Sequence, residues 1–171
     1  MRLSLFPVTT RIVSRSGSSW LSIGGCDLTE LAERFGTPLY LYDEATLDRS
    51  LQSYRQALSE NYPAPYGITY AGKAYLCLAI AQWAVRQGLW LDCTGAVELF
   101  IAGAAGVDRD RLLVHGVNKS PADLVAAMAQ AGVMVVDNLT ELERLTVLAR
   151  NTLRPLPKLW LRLRPGKAVN T

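Results

Sequence analysis

One histidine and three cysteines are spread over 171 residues, and no stretch gathers lysine and arginine into a cluster. Cys26, Cys77 and Cys93 are odd in number and lack the close paired spacing of a zinc site or a redox pair. No metal site is therefore expected, and the cysteines suit a reducing, cytoplasmic compartment. The 18 basic and 15 acidic side chains are scattered and leave a net charge of +3, so no phosphate-binding stripe forms and nucleic acid is not implied. Long apolar runs are also missing. The stretch 76–85 is interrupted by Gln82 and stopped by Arg86, well short of the roughly 20 residues that a membrane span needs. With 13 glycines and 8 prolines the usage is ordinary, which excludes collagen-like and low-complexity chains. Half of the residues are hydrophobic and 19% are charged, and a chain of this length buries roughly 70% of its unfolded surface. A globular domain with a real core is the expectation.

Before Asp27 the chain carries Arg2, Arg11, Arg15 and six serines but no acidic residue. That composition suits an organellar transit peptide and an extended arm equally. The β-branched residues of 9–13 and the alternation over 20–23 favour an arm strand that pairs with a distant part of the protein. Residues 1–36 are accordingly expected to form an arm and a helix, and residues 37–171 a separate αβ region.

From Asp27 onward the pattern is regular. Asp27 caps a helix whose Glu30 sits three residues on, and Gly36 ends it. Pro38 opens a short β-type run at 39–42, and Asp43 caps a second helix with Leu47, Leu51, Tyr54 and Leu58 at helical spacing. Strands are then expected at 66–71, 89–92, 112–114, 133–136 and 159–163. Helices follow the first four of these near 76–87, near 97–105, over 120–131 and from Thr140. Strand starts recur every 21–27 residues, the length of a βα unit with short loops. The strands are almost continuously apolar, as in a parallel sheet covered by helices.

Asp43, Lys73, Asp92, His115 and Asp137 stand just past the ends of successive strands, with Arg162 near the end of the sixth. A barrel gathers such ends around one axis. An open doubly wound sheet would place a glycine-rich turn after its first strand, and residues 43–46 contain no glycine. The fold expected is therefore an α/β chain forming an incomplete (β/α)8 barrel, about five βα units plus a sixth strand. A complete barrel takes about 250 residues, so the chain is expected to be part of a longer protein.

Lys73 is the first candidate for chemistry, because apolar neighbours at a barrel lip desolvate an amine and favour imine formation. The bland alternative is a solvated lysine at a helix start. Gly67 to Lys73 also meets the glycine and lysine spacing of a phosphate-binding loop. Ala74 stands where Ser or Thr must hold magnesium, however, and Tyr62-Pro63-Ala64-Pro65 cannot supply the preceding strand. The two glycines are read as bracketing a strand. His115 lies in the segment leading to Ser120-Pro121, an N-cap followed by proline at the first helical position. Asp92 precedes Cys93-Thr94-Gly95, with Glu98 a second carboxylate that either joins the site or faces solvent. Of Arg162 and Arg164, only one is expected to look inward.

These segments together resemble the alanine racemase-like barrel decarboxylases that use pyridoxal 5′-phosphate. Gly36-Thr37-Pro38-Leu39-Tyr40-Leu41-Tyr42-Asp43 is similar to the start of that family's barrel, and Tyr70-Ala71-Gly72-Lys73-Ala74 resembles its cofactor-lysine motif. Asp92-Cys93-Thr94-Gly95-Ala96-Val97-Glu98-Leu99, His115-Gly116-Val117-Asn118-Lys119-Ser120 and Leu161-Arg162-Leu163-Arg164-Pro165-Gly166 follow in the family's order. Thr94-Gly95-Ala96 departs from the more usual Ser-Gly-Gly, and the Thr-His pair expected after the sixth strand is not found in 167–171.

The resemblance implies that Lys73 is the Schiff-base and catalytic lysine, with Ala71, Asp92, His115 and Arg162 shaping the cofactor pocket. It implies decarboxylation of meso-2,6-diaminopimelate to L-lysine, in a homodimer whose remaining cofactor and substrate groups lie beyond Thr171. A decarboxylase of another basic amino acid or of a carboxylated polyamine remains open, as does a non-catalytic cofactor-holding barrel. A phosphate-binding αβ protein using the loop at Gly67 is disfavoured by Ala74.

Overall fold

Asp27 and Gly36 bound the first helix as their chemistry dictates. The Asp27 carboxylate accepts from the amides of Thr29 and Glu30, and the amide of Gly36 closes on the Ala32 carbonyl at a backbone φ of 80° that glycine adopts without strain. A computed structural model describes residues 3–15, 17–163 and 166. Arg164 and the segment 167–171 lie outside the described residues, as do Met1, Arg2 and Ser16. The chain divides into two compact units, 1–66 and 67–171.

In the first unit, β1 (Arg11–Arg15), β2 (Ser18–Ile23) and β3 (Cys26–Asp27) form an antiparallel meander that leads into α1 (Leu28–Phe35). Ile23 pairs with Cys26 across Gly24 and Gly25, both at positive φ, the backbone of a two-residue hairpin. Among the described residues the arm's strands pair with one another, β1 and β2 being adjacent in sequence so that their register costs little loop entropy. α2 (Glu44–Asn61) follows. Asp43 is its N-cap residue, but its carboxylate takes the hydroxyl of Thr46 at 2.5 Å and caps no backbone amide.

The expected first strand at 39–42 is not formed. These residues are described, yet they enter no ladder and Tyr40 is 89% exposed. Aromatic and leucine alternation gives such a segment the propensity for a strand, but a strand exists only where a neighbour supplies its hydrogen bonds.

The second unit alternates strictly. β4 (Thr69–Ala71), α3 (Leu78–Arg86), β5 (Trp90–Cys93), α4 (Ala96–Ala104), β6 (Leu112–Val114), α5 (Pro121–Gln130), β7 (Val133–Val136), α6 (Leu139–Arg150) and β8 (Lys158–Leu161) succeed one another. The five strands form one all-parallel sheet in sequence order. This is the repeated βα architecture expected of a barrel, with five parallel strands in place of six. Among the described residues no helix is long and apolar enough to cross a membrane.

Alternation sorts the strand residues onto two faces. Leu91, Cys93, Leu112, Val114, Met134 and Val136 pack with Ala81, Leu99, Leu124, Ala127 and Leu145 from the helices. Each fully buried leucine, valine or methionine among them contributes roughly 1.5–3 kcal/mol. The residues between them, Trp90, Asp92, Leu113, Val133, Val135 and Trp160, occupy the other face. That face, with the strands' carboxyl ends, carries the candidate site.

Candidate functional site

Strand parity brings the candidate residues together. The amide of His115 bonds to the Cys93 carbonyl at 2.9 Å and that of Arg162 to the Val136 carbonyl at 2.9 Å. The parallel ladder therefore continues one residue past β6 and β8. His115 falls on the same face as Asp92, and Arg162 on the same face as Asp137, whose Oδ1 accepts from the Arg162 guanidinium at 2.8 Å. Residues two apart share a face, so the expectation that only one of Arg162 and Arg164 looks inward does not hold for a regular strand.

Lys73 occupies a single 3-10 turn, Gly72–Ala74, directly after β4, and is exposed. The phosphate-loop reading therefore fails as expected, since β4 lies between the two glycines. Gly72 is buried. A Cβ there would stand 2.9 Å from the Asp92 carbonyl oxygen and 3.3 Å from Glu98 Oε2, so only glycine lets the lysine turn lie against the end of β5. The Tyr70 hydroxyl donates to the Tyr75 carbonyl at 2.7 Å and spans the turn, while its ring meets Trp83 edge-on with centroids 6.0 Å apart. Ala71 pairs with Asp92 across β4 and β5, which sets the lysine turn beside that carboxylate.

The loops behind these residues are tied to one another. Glu98 does not merely face solvent: its Oε2 accepts from the Thr94 amide at 2.5 Å and the Thr94 hydroxyl at 3.0 Å. Ser120 and Asp123 form a reciprocal capping box at the start of α5, and Asp123 also accepts from the Ala96 amide of α4 at 2.8 Å. A Cβ on Gly116 would collide with the Thr94 carbonyl oxygen, so the His115 loop and the Thr94 turn touch backbone to backbone.

Lys119 is the residue that sequence reasoning missed. Its ammonium is wholly buried, bonds to the carbonyls of Gly116 at 2.6 Å and Val135 at 2.9 Å, and lies 2.7 Å from Glu141 Oε1. Lysine beside an N-cap serine reads as solvated. Only Glu141, three residues after the N-cap Asn138 of α6, offered a hint of a buried partner.

The electrostatics follow from burial. Desolvation pushes the Asp92 carboxyl above its ordinary value of 3.8, and Glu98 adds to the shift while His115 and Lys73 oppose it. Asp92 Oδ2 lies 3.7 Å from His115 Nδ1, an ion pair when the ring is protonated. Among the described residues Asp92 Oδ1 is buried with no hydrogen-bond partner. An accessible amine, an orphaned carboxylate oxygen, an imidazole and a guanidinium thus share one rim. This donor set fits a cofactor that carries an aldehyde for the amine and polar ring substituents for the carboxylate and the cations.

Residues 44–171 match the family described as pyridoxal-dependent decarboxylase, pyridoxal binding domain. A diaminopimelate decarboxylase of Synechocystis is 39% identical over 98% of this chain and 37% of its own length. Among solved structures, the crystal structure of diaminopimelate decarboxylase from M. jannaschii superposes with a TM-score of 0.79 at 28% identity, over 92% of this chain and 36% of that one. The lysine/ornithine decarboxylase of Vibrio vulnificus, complexed with putrescine, gives 0.61 at 29% identity, over 80% and 35%. The chain therefore spans little more than a third of the length of the relatives it matches.

Proposed function

Because the chain belongs to the pyridoxal-dependent decarboxylase family, through its pyridoxal binding domain, we propose that it provides the lysine-bearing side of a site that decarboxylates meso-2,6-diaminopimelate to L-lysine and CO2. One observation carries this reading: Lys73, Asp92, His115 and Arg162 meet at the carboxyl end of one parallel sheet, where Asp92 keeps an unpartnered oxygen. The diaminopimelate decarboxylase of Synechocystis at 39% identity supports the substrate.

Pyridoxal 5′-phosphate, when bound, supplies an aldehyde for an amine and a ring that takes up the electron pair left when a carboxylate departs as CO2. Lys73 is the amine that would hold it, exposed at the rim on a turn fixed by Gly72 and Tyr70. Asp92 keeps negative charge beside that amine, and its orphaned Oδ1 is ready to accept a hydrogen bond from the cofactor. Arg162, paired with Asp137 through one nitrogen, would offer its further N–H groups to an anionic group. His115 bounds the pocket on the β6 side, and Ala71 leaves room beside the lysine. The arm of 1–36 and the barrel portion of 37–171 belong, on this reading, to a cytoplasmic homodimer.

A decarboxylase of another basic amino acid is the second reading, favoured by the likeness to the Vibrio lysine/ornithine enzyme. Adding pyridoxal 5′-phosphate to the protein and to Lys73→Ala, with and without borohydride, tests the site. A Lys73-dependent band that reduction traps, mapped to the peptide carrying Lys73, is the expected result. Absence of a band from the full-length protein would overturn the reading. Product analysis with diaminopimelate, lysine and ornithine then separates the two substrates.

A further inference from the structure

We propose that Lys119 is a positioning residue: its buried ammonium ties the loop carrying His115 to β7 and α6, and so sets where the imidazole stands beside Asp92. The three partners of Lys119, two carbonyl acceptors and one carboxylate counter-ion, come from three places in the chain. The Gly116 carbonyl at 2.6 Å belongs to the loop itself, the Val135 carbonyl at 2.9 Å to β7, and Glu141, with Oε1 at 2.7 Å, to the first turn of α6. Asn118, in the left-handed region at φ 53°, makes the bend that folds the next residue back beneath the loop. On the opposite side Gly116 rests against the Thr94 carbonyl. The short segment between β6 and α5 is thus held from both sides, and His115 is the residue at its start.

A purely structural role explains this arrangement poorly. An apolar pair of similar volume generally stabilises a fold as well as a buried ion pair does, or better. What the ammonium adds is direction, because two hydrogen bonds and an ion pair from one nitrogen fix the loop in three dimensions. The consequence for catalysis rests on the proposed reading of the rim as a cofactor site, whereas the positioning itself does not.

His115 is the only histidine of these 171 residues, and its imidazole resonances, assigned by their loss in His115→Gln, report its place without any cofactor. The test compares the full-chain protein, Lys119→Met/Glu141→Leu and Glu141→Gln by ¹H–¹⁵N spectroscopy of the imidazole and by its rate of modification with diethyl pyrocarbonate. The double variant removes both buried charges and is expected to fold, yet to show displaced or split imidazole signals and a several-fold change in modification rate. Glu141→Gln retains an acceptor for Lys119 and is expected to keep the parent spectrum. Parent-like signals in the folded double variant would overturn the proposal, as would a Glu141→Gln spectrum displaced equally far, which would assign the effect to lost charge. Failure of the Lys73-dependent band would instead remove the cofactor reading and leave the imidazole result standing.

Discussion

Nδ1 of His115 stands 3.7 Å from Oδ2 of Asp92 across the β5–β6 pair, while the other oxygen of that carboxylate is buried with no hydrogen-bond partner among the described residues. A carboxylate satisfied on one side only is held at a cost to the fold, and the cost is greatest when it is ionised. Such a group makes sense at a place where something else arrives to complete it.

Asp92→Asn is accordingly expected to stabilise the protein at neutral pH and to weaken cofactor binding by about tenfold, the order of one hydrogen bond to a charged group. The sign follows from linkage. The folded carboxyl sits above 3.8, so the native state holds its proton more tightly than the unfolded chain, and stability falls as pH rises from about that value through the folded one. The variant loses this slope. Asp123 has the opposite sign: the Ser120 hydroxyl foremost, then the Ala96 amide, hold its carboxyl below 3.8. Its contribution is present above 3.8 and is lost as pH falls through the lower folded value. Urea midpoints across the acid range measure both.

Gly116→Ala should destabilise by about 1–3 kcal/mol, since the new methyl meets a backbone carbonyl and not a movable side chain. The loop must shift to accept it, and the imidazole spectrum should move with it. Denaturant unfolding of the variant reads the first effect.

Lys119→Met alone leaves Glu141 buried without its cation and should cost about 3–5 kcal/mol, most of it regained in Lys119→Met/Glu141→Leu. A double variant no more stable than the single one would contradict the pairing of these charges.

The three thiols should react in order of exposure. Burial, then Glu98 and Asp92, push the Cys93 thiol up to about 12, so at pH 8 only about one in 10⁴ molecules carries its thiolate. Cys26 is exposed and Cys77 half-buried. A chromogenic disulfide reagent with peptide mapping is expected to label Cys26 first and Cys93 only after unfolding.

Where a signal is local, the sequence carries it. Asp27 and Gly36 bounded α1, Ser120-Pro121 opened α5, and the apolar runs at 112–114 and 133–136 are strands as expected. What depends on a partner is not written locally. Residues 39–42 have strand composition but no ladder, and β1 chose its neighbour β2. Lys119 looked solvated because its three partners lie in a loop, a strand and a helix that meet only in the folded chain. The convergence of Lys73, Asp92, His115 and Arg162 could be foreseen from strand spacing, since parallel strands bring equivalent ends together. The orphaned oxygen and the Glu98 grip on Thr94 could not.

The two-residue beat of the strands makes the site far more tolerant of substitution than of deletion. Replacing Val135 alters one contact on the inner wall. Excising it would turn Asp137 toward the helix-covered side, where Met134 and Val136 now pack, bury a carboxylate among apolar groups, and leave Arg162 without its acid. The length of β7 is therefore more tightly constrained than the identity of Val135.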